Sequence, residues 1–204
     1  MLYRWLRDLH LYFGLFISPF ILLFSASVLY LNHGKLLPGA PPPVETFQDL
    51  TIPDGLDRLK GREAVDRATA ILPQVRVAGE IGFLRYVPKD RHLIFPVTRA
   101  GSEATVDVDL DARTATVKRR SMRLWESIAY LHKMPGPHNV AIRGNWVGTQ
   151  LWRVLADTTI YLLLFISLSG VYLWWAIKAE RRIGFALLAT GMATFFGLVY
   201  AVLR

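Results

Sequence analysis

Residues 158–177 read TTIYLLLFISLSGVYLWWAI, twenty positions without a charged side chain. The hydrocarbon core of a bilayer, about 30 Å thick, is crossed by about 20 apolar residues at 1.5 Å of helical rise each. A core helix of a soluble domain keeps a polar face, and this stretch has none. It predicts a membrane span. On either side of it in the chain, Leu11–Leu31 and Ile183–Leu203 are as long and as free of charge, so three spans are expected. Arg4 and Arg7 precede the first as they would precede a signal peptide. Its apolar run nevertheless exceeds the roughly 7–15 residues of a signal h-region, and an uncleaved anchor is the expectation.

Composition agrees, with 52% hydrophobic residues and a positive mean hydropathy. The net charge of +8 comes from cations dispersed along the chain, so the expected partner is an anionic lipid surface and not nucleic acid. The absence of cysteine excludes disulfides, thiolate metal sites and thiol nucleophiles. Among short segments, the tip Lys178-Ala179-Glu180-Arg181-Arg182 carries three cations and one anion, and the amino terminus carries Arg4 and Arg7. The positive-inside rule puts both in the cytoplasm, and residues 33–150 and the carboxyl terminus on the other side. Trp5 with Arg4 and Arg7, then Trp125, Trp146 and Trp152, then Trp174 and Trp175 with Arg181 and Arg182, are the expected interface anchors. Pro19 lies inside the first span and should free a carbonyl near Leu15 for a serine or a neighbouring helix to satisfy.

Between the first two spans the texture is mixed. KLLPGAPPP (35–43) favours an extended spacer within an expected linker over residues 33–60. REAVDRATAIL (62–72) spaces Ala64, Val65, Ala68, Ile71 and Leu72 as a helix that Pro73 ends. Branched and aromatic runs at Ile81–Val87, His92–Val97, Ala104–Leu110 and Thr114–Lys118 read as strands separated by turns. The expectation is a small α+β module over residues 61–120, a helix with an antiparallel meander, followed by a connector over 121–150. Met122, Trp125, Ile128, Ala129 and Leu131 form the apolar stripe of an interfacial helix in that connector, broken at Pro135-Gly136-Pro137. The remaining expected segments are 1–32 with span one, 151–177 with span two, the tip 178–182 and span three over 183–204.

Four pieces in this order, RWLRDLHLYFGLFISPFILLFSAS (4–27), VDVDLDARTATVKRR (106–120), AYLHKMPG (129–136) and LLLFISLSGVYLWW (162–175), resemble the PepSY-associated transmembrane family of bacterial inner membranes. The resemblance implies a periplasmic PepSY module anchored by helices, in a short three-span form with one module. It further implies residence in the inner membrane with a cytoplasmic amino terminus. Larger relatives have four spans and two modules, and some bind b-type haem and serve iron uptake by reducing ferric siderophores. Ligands that those relatives carry on additional helices have no counterpart here.

Haem b held by two imidazoles needs both at one depth on opposite faces of the macrocycle. The candidates are His10, His33, His132 and His138. His10 and His33 lie 23 residues apart on nearly one helix, about 34 Å along its axis, and cannot share a haem. His33 with His132 is the strongest pair, with His138 as substitute. His92 reads as a structural strand residue. Asp107, Asp109 and Asp111 alternate along a strand and read as a solvated face in preference to a cation site. No Ser-His-Asp set, phosphate loop or HExxH motif is present. Ser169 and Gly170 in span two, and Ala189, Gly191, Ala193 and Gly197 in span three, are helix-packing residues that can also face another protein. The expected function is therefore that of a non-enzymatic accessory subunit, docking in a larger membrane complex or a homo-oligomer. The alternatives are a haem b electron-transfer protein and, more weakly, a regulator of a peptidase.

Overall fold

The computed structural model describes residues 1–33, 43–134, 137–177 and 181–204. Its helices are α1 (Leu2–His33), α2 (Gly61–Thr69), α3 (Leu124–Lys133), α4 (Val147–Ile177) and α5 (Arg181–Leu203). The strands are β1 (Val44–Phe47), β2 (Glu80–Ile81), β3 (Arg85–Val87), β4 (His92–Arg99), β5 (Ser102–Asp109) and β6 (Thr114–Ser121). Three helices, α1, α4 and α5, are long and apolar enough to cross a membrane, and a soluble α+β domain lies between the first and second of them. Of the extended spacer expected at 35–43 all but Pro43, together with part of the expected Pro-Gly-Pro turn and most of the cationic tip, falls outside the described residues. Contacts divide the chain into two units, Met1–Phe20 with Asp157–Arg204, and Ile21–Ala156.

In the first unit α1 and α4 meet through Phe13 and Phe165, edge to face with centroids 5.4 Å apart, and through Gly14 beside Ile166. Pro19 removes the N–H that would bond Leu15 O, and α1 nevertheless runs through it unbroken. The freed carbonyl accepts from Ser18 Oγ at 2.9 Å, which settles the backbone group that lipid could not. The start of α5 is pinned where Gly184 lies under the Trp174 ring and Phe185 meets Trp174 and Trp175 edge on. From Phe185 onward every residue of α5 is exposed.

The second unit is built on an antiparallel sheet in the order β1-β6-β5-β4-β2, with β3 also paired to β4. Period-two alternation buries Leu93, Phe95 and Val97 of β4, Ala104, Val106 and Val108 of β5, and Ala115 and Val117 of β6 on one face. There they pack with Val65 and Ala68 of α2 and with Ile71, Leu72 and Val75 just after it. Gly101, at φ +91°, closes the tight turn from β4 to β5, a conformation that L side chains rarely adopt.

Two expectations need correction. The linker placed at 33–60 contains β1, which pairs with β6 from Val44↔Lys118 to Phe47↔Ala115, and its Leu50 and Leu56 belong to the core. The strand placed at Ile81–Val87 is two strands, and Pro96 is the reason. Pro96 O accepts from Gly82 N at 2.9 Å, so its nitrogen faces the same side and has no proton to offer there. The ladder breaks opposite it, Gly82 passes the proline ring closely, and Phe83 is thrown out to 55% exposure.

After the sheet, where a helix was expected, comes α3. Its Trp125 stacks on Tyr30 of α1 with centroids 6.3 Å apart, and its Ala129 is buried. Glu126 accepts from the Arg123 backbone N–H and guanidinium, which holds its carboxyl below the usual range.

Candidate functional site

Two histidines predicted from sequence are each tied to a serine on another helix in the same manner. In the first unit His10 Nδ1 lies 2.8 Å from Ser169 Oγ, and Ser169 Oγ donates to Ile166 O at 3.2 Å. In the second, His132 Nδ1 lies 3.1 Å from Ser27 Oγ, and Ser27 Oγ donates to Phe24 O at 2.6 Å. Each serine hydroxyl has both a helix carbonyl and an imidazole Nδ1 within hydrogen-bond reach, and with its own proton on the carbonyl it can accept from an Nδ1–H. His132 also packs edge on against Phe24, whose ring meets Trp152 in turn. Gly170 gives His10 its room, since a Cβ there would sit 3.4 Å from Cε1. A cavity of about 470 Å³ opens beside His10, Gly170 and Trp174.

His33 is the exposed last residue of α1, six positions beyond Ser27. Six helical residues span about 9 Å, and His132 is held at the level of Ser27. His138 is exposed and lines a smaller cavity of about 170 Å³ with Glu80, Thr98 and Tyr130. Burial pushes the Tyr130 phenol up, and the Glu80 charge adds to the shift.

Of the expected interface anchors, Arg4, Trp5 and Arg182 are exposed, and Arg7 pairs with its neighbour Asp8 at 2.8 Å. Trp152 donates Nε1–H to Leu131 O at 3.1 Å, Trp146 folds over Gly148, and Arg181 lies 4.7 Å over the Trp175 ring. The small residues are used in two ways. Ser169 and Gly170 pack against His10, whereas Ala189, Gly191, Ala193 and Gly197 are exposed, with no neighbour within 4 Å of a Cβ built on either glycine.

The second unit contains a polar clamp that sequence reading did not single out. Glu80 of β2 is 3% exposed; its Oε1 accepts from Gly144 N at 2.6 Å and its Oε2 from Thr149 Oγ1 at 2.8 Å. Beside it the Asn145 side chain behaves as a strand partner. Its Oδ1 accepts from Ile81 N, and its Nδ2 donates to Ile81 O and Ile142 O, at 2.8–2.9 Å. A carboxylate at the first turn of α4 is also favoured by the helix dipole. The clamp fixes the edge of the sheet to the start of α4. The signal for it was an acidic residue in a strand pattern, Gly79-Glu80-Ile81, and a Gly-Asn pair just before a helix with a threonine in its first turn.

No protein-family model, curated protein or solved structure matches this chain.

On the sheet face opposite α2, His92 Nδ1 lies 2.7 Å from Asp107 Oδ1, a diagonal cross-strand pair given the register Ile94↔Asp107. Of the three carboxylates expected on one strand face, Asp109 ends β5 and accepts from Asp111 N and Ala112 N, and Asp111 pairs with Arg91 in the turn. The hydrogen bond to Asp107 raises the His92 pKa above its ordinary 6.5 despite some desolvation. The folded state thus holds the proton more tightly. The contribution to stability is complete below the unfolded value and fades as pH rises through the folded one. Chemical denaturation of the full chain in neutral micelles should therefore show stability falling from pH 5.5 to 8.5, with a slope reduced in His92→Gln and Asp107→Asn. The pair is partly exposed, so the change is modest. An unchanged slope in both variants contradicts the assignment.

Proposed function

We propose that this chain is a membrane-anchored accessory subunit of PepSY type, which docks laterally in a larger bacterial inner-membrane assembly and presents its soluble domain in the periplasm. The supporting order of elements is one membrane-length helix, an α+β domain with an antiparallel meander, an interfacial helix and two further membrane-length helices. The observation that carries the docking is α5. From Phe185 onward its surface is left exposed by the described residues, and one side of it is lined with Ala189, Ala193 and Gly197 at four-residue spacing. Lipid covers leucine-rich helices well, whereas small residues gain most from close approach of another helix. Isolation of the full chain from membranes in native nanodiscs should give a species larger than the monomer and of fixed stoichiometry. A monomer in every preparation rules this reading out.

A second reading, haem b with one-electron chemistry, is favoured by the histidine–serine pairs. Metal-bound imidazoles commonly donate their other N–H to a fixed acceptor, and Ser169 and Ser27 provide such acceptors. His10 or His132 would hold the haem through Nε2, and a second imidazole or other ligand would come from another chain. Haem there would supply electron transfer, while the serines hold the ring orientation. A reduced-minus-oxidised b-type spectrum, diminished in His10→Ala or His132→Ala, supports this reading; a colourless protein from haem-replete cells removes it.

A further inference from the structure

The break that Pro96 imposes on the sheet edge leaves a groove. Ile81 has both of its outer backbone groups satisfied by the Asn145 amide, so β2 is closed to further pairing. A few residues on, β3 pairs with β4 alone among the described residues, which leave its outer edge open. Facing that edge is a cavity of about 410 Å³ whose far wall is the turn into α2, with Lys60 and the ion pair of Asp57 and Arg58 at 3.6 Å, and whose floor is the buried Ile142. Leu84 and Tyr86 line it from the edge strand, and the half-exposed ring of Phe83 stands at its mouth. Arg85, between Leu84 and Tyr86, is exposed and by alternation projects to the opposite face of the sheet.

We propose that this groove takes an extended acidic peptide segment of a partner protein, added as a strand to the open edge of β3. The proposal deepens the accessory-subunit reading and rests on it for the existence of a partner. Backbone groups of the added strand bond the free edge, as in other strand-addition complexes. Its side chains alternate. Those on the α2 side meet Ile142, Leu84 and Tyr86, which calls for an apolar residue; the acidic neighbours project to the Arg85 face, and one at the end of the segment reaches Lys60 at the rim. Residues 84–87 span about 13 Å of strand, so the recognised segment is about four or five residues long. Asp57 compensates Arg58, which leaves Lys60 at the rim and Arg85 on the other face as cations without an ion pair among the described residues, a balance that disfavours a basic peptide.

The test uses the full chain in uncharged detergent micelles and two pools of capped heptapeptides. In one pool Asp or Glu alternates with Val, Ile, Leu or Phe, and in the other Lys or Arg replaces the acids. Affinity selection read by mass spectrometry should enrich the acidic pool at least tenfold over the basic one. The best-bound peptide should lose at least tenfold in affinity on N-methylation of alternate amides, and similarly against Lys60→Glu. Arg85→Glu combined with Lys60→Glu should shift the preference to the basic pool, which also shows that the variant is folded. No enrichment, equal enrichment of the two pools, or indifference to N-methylation overturns the proposal. Such a result with the membrane assembly intact leaves the docking of α5 standing; loss of the assembly with peptide binding intact does the reverse.

Discussion

Replacing Glu80 by alanine is expected to destabilise the α+β domain by about 2–4 kcal/mol, because it leaves the Gly144 N–H and the Thr149 hydroxyl without their acceptor in a buried place. An unpaired buried donor costs about 1–3 kcal/mol, more than the net worth of the bond that satisfied it. Glu80→Gln retains an acceptor of the same shape and should cost about 1 kcal/mol. Hydrogen exchange gives the location as well as the size. The amide of Gly144 and those of the first turn of α4 should lose protection in Glu80→Ala, while Phe95 and Val106 at the centre of the sheet keep theirs until global unfolding. Uniform loss, or none, would mean that the clamp is not what holds this edge.

A larger local conflict is expected at Gly79. Its φ of +151° lies outside the range that L side chains favour, and a Cβ would stand 2.7 Å from the carbonyl oxygen of Thr98, a backbone atom that cannot swing away. Strain of about 1–3 kcal/mol adds to an overpacking term of similar size, so Gly79→Ala should cost about 2–5 kcal/mol. Two other glycines calibrate it. Gly82→Ala meets the Pro96 ring at 3.2 Å with an ordinary φ, and Gly101→Ala meets nothing within 4 Å but keeps a φ of +91°. Each should cost about 1 kcal/mol. Thermal unfolding of the three variants should rank them in that order, with Gly79→Ala well apart.

The three long helices were legible because an uncharged run of this length has few alternatives, and Ser18 beside Pro19 even carried the remedy for the missing bond. The meander was legible through alternation at β4, β5 and β6, whose buried positions alternate as their sequences do. What escaped depended on partners remote in sequence. VETF is too short to stand out beside three prolines, and only its pairing with β6 makes it a strand. The division of Ile81–Val87 was written in Pro96, a residue of a different strand, and could be read only once the register was known.

At the candidate sites the histidines drew notice by type, but their geometry did not follow from spacing. His132 lies against Ser27 and Phe24, contacts that its position in the sequence did not announce. Glu80 and Asn145 carried no motif, since a clamp between residues 64 positions apart leaves no periodic trace.

The central claim is that α5 docks against another protein in the membrane. Its most direct test is the size of the species isolated in native nanodiscs from cells expressing Ala193→Leu with Gly197→Leu, compared with Leu198→Ala as a control that alters the apolar surface on another face of the helix. The small-face variant is expected to run as a lone chain and the control as the full assembly. An assembly that survives both substitutions unchanged would contradict the account.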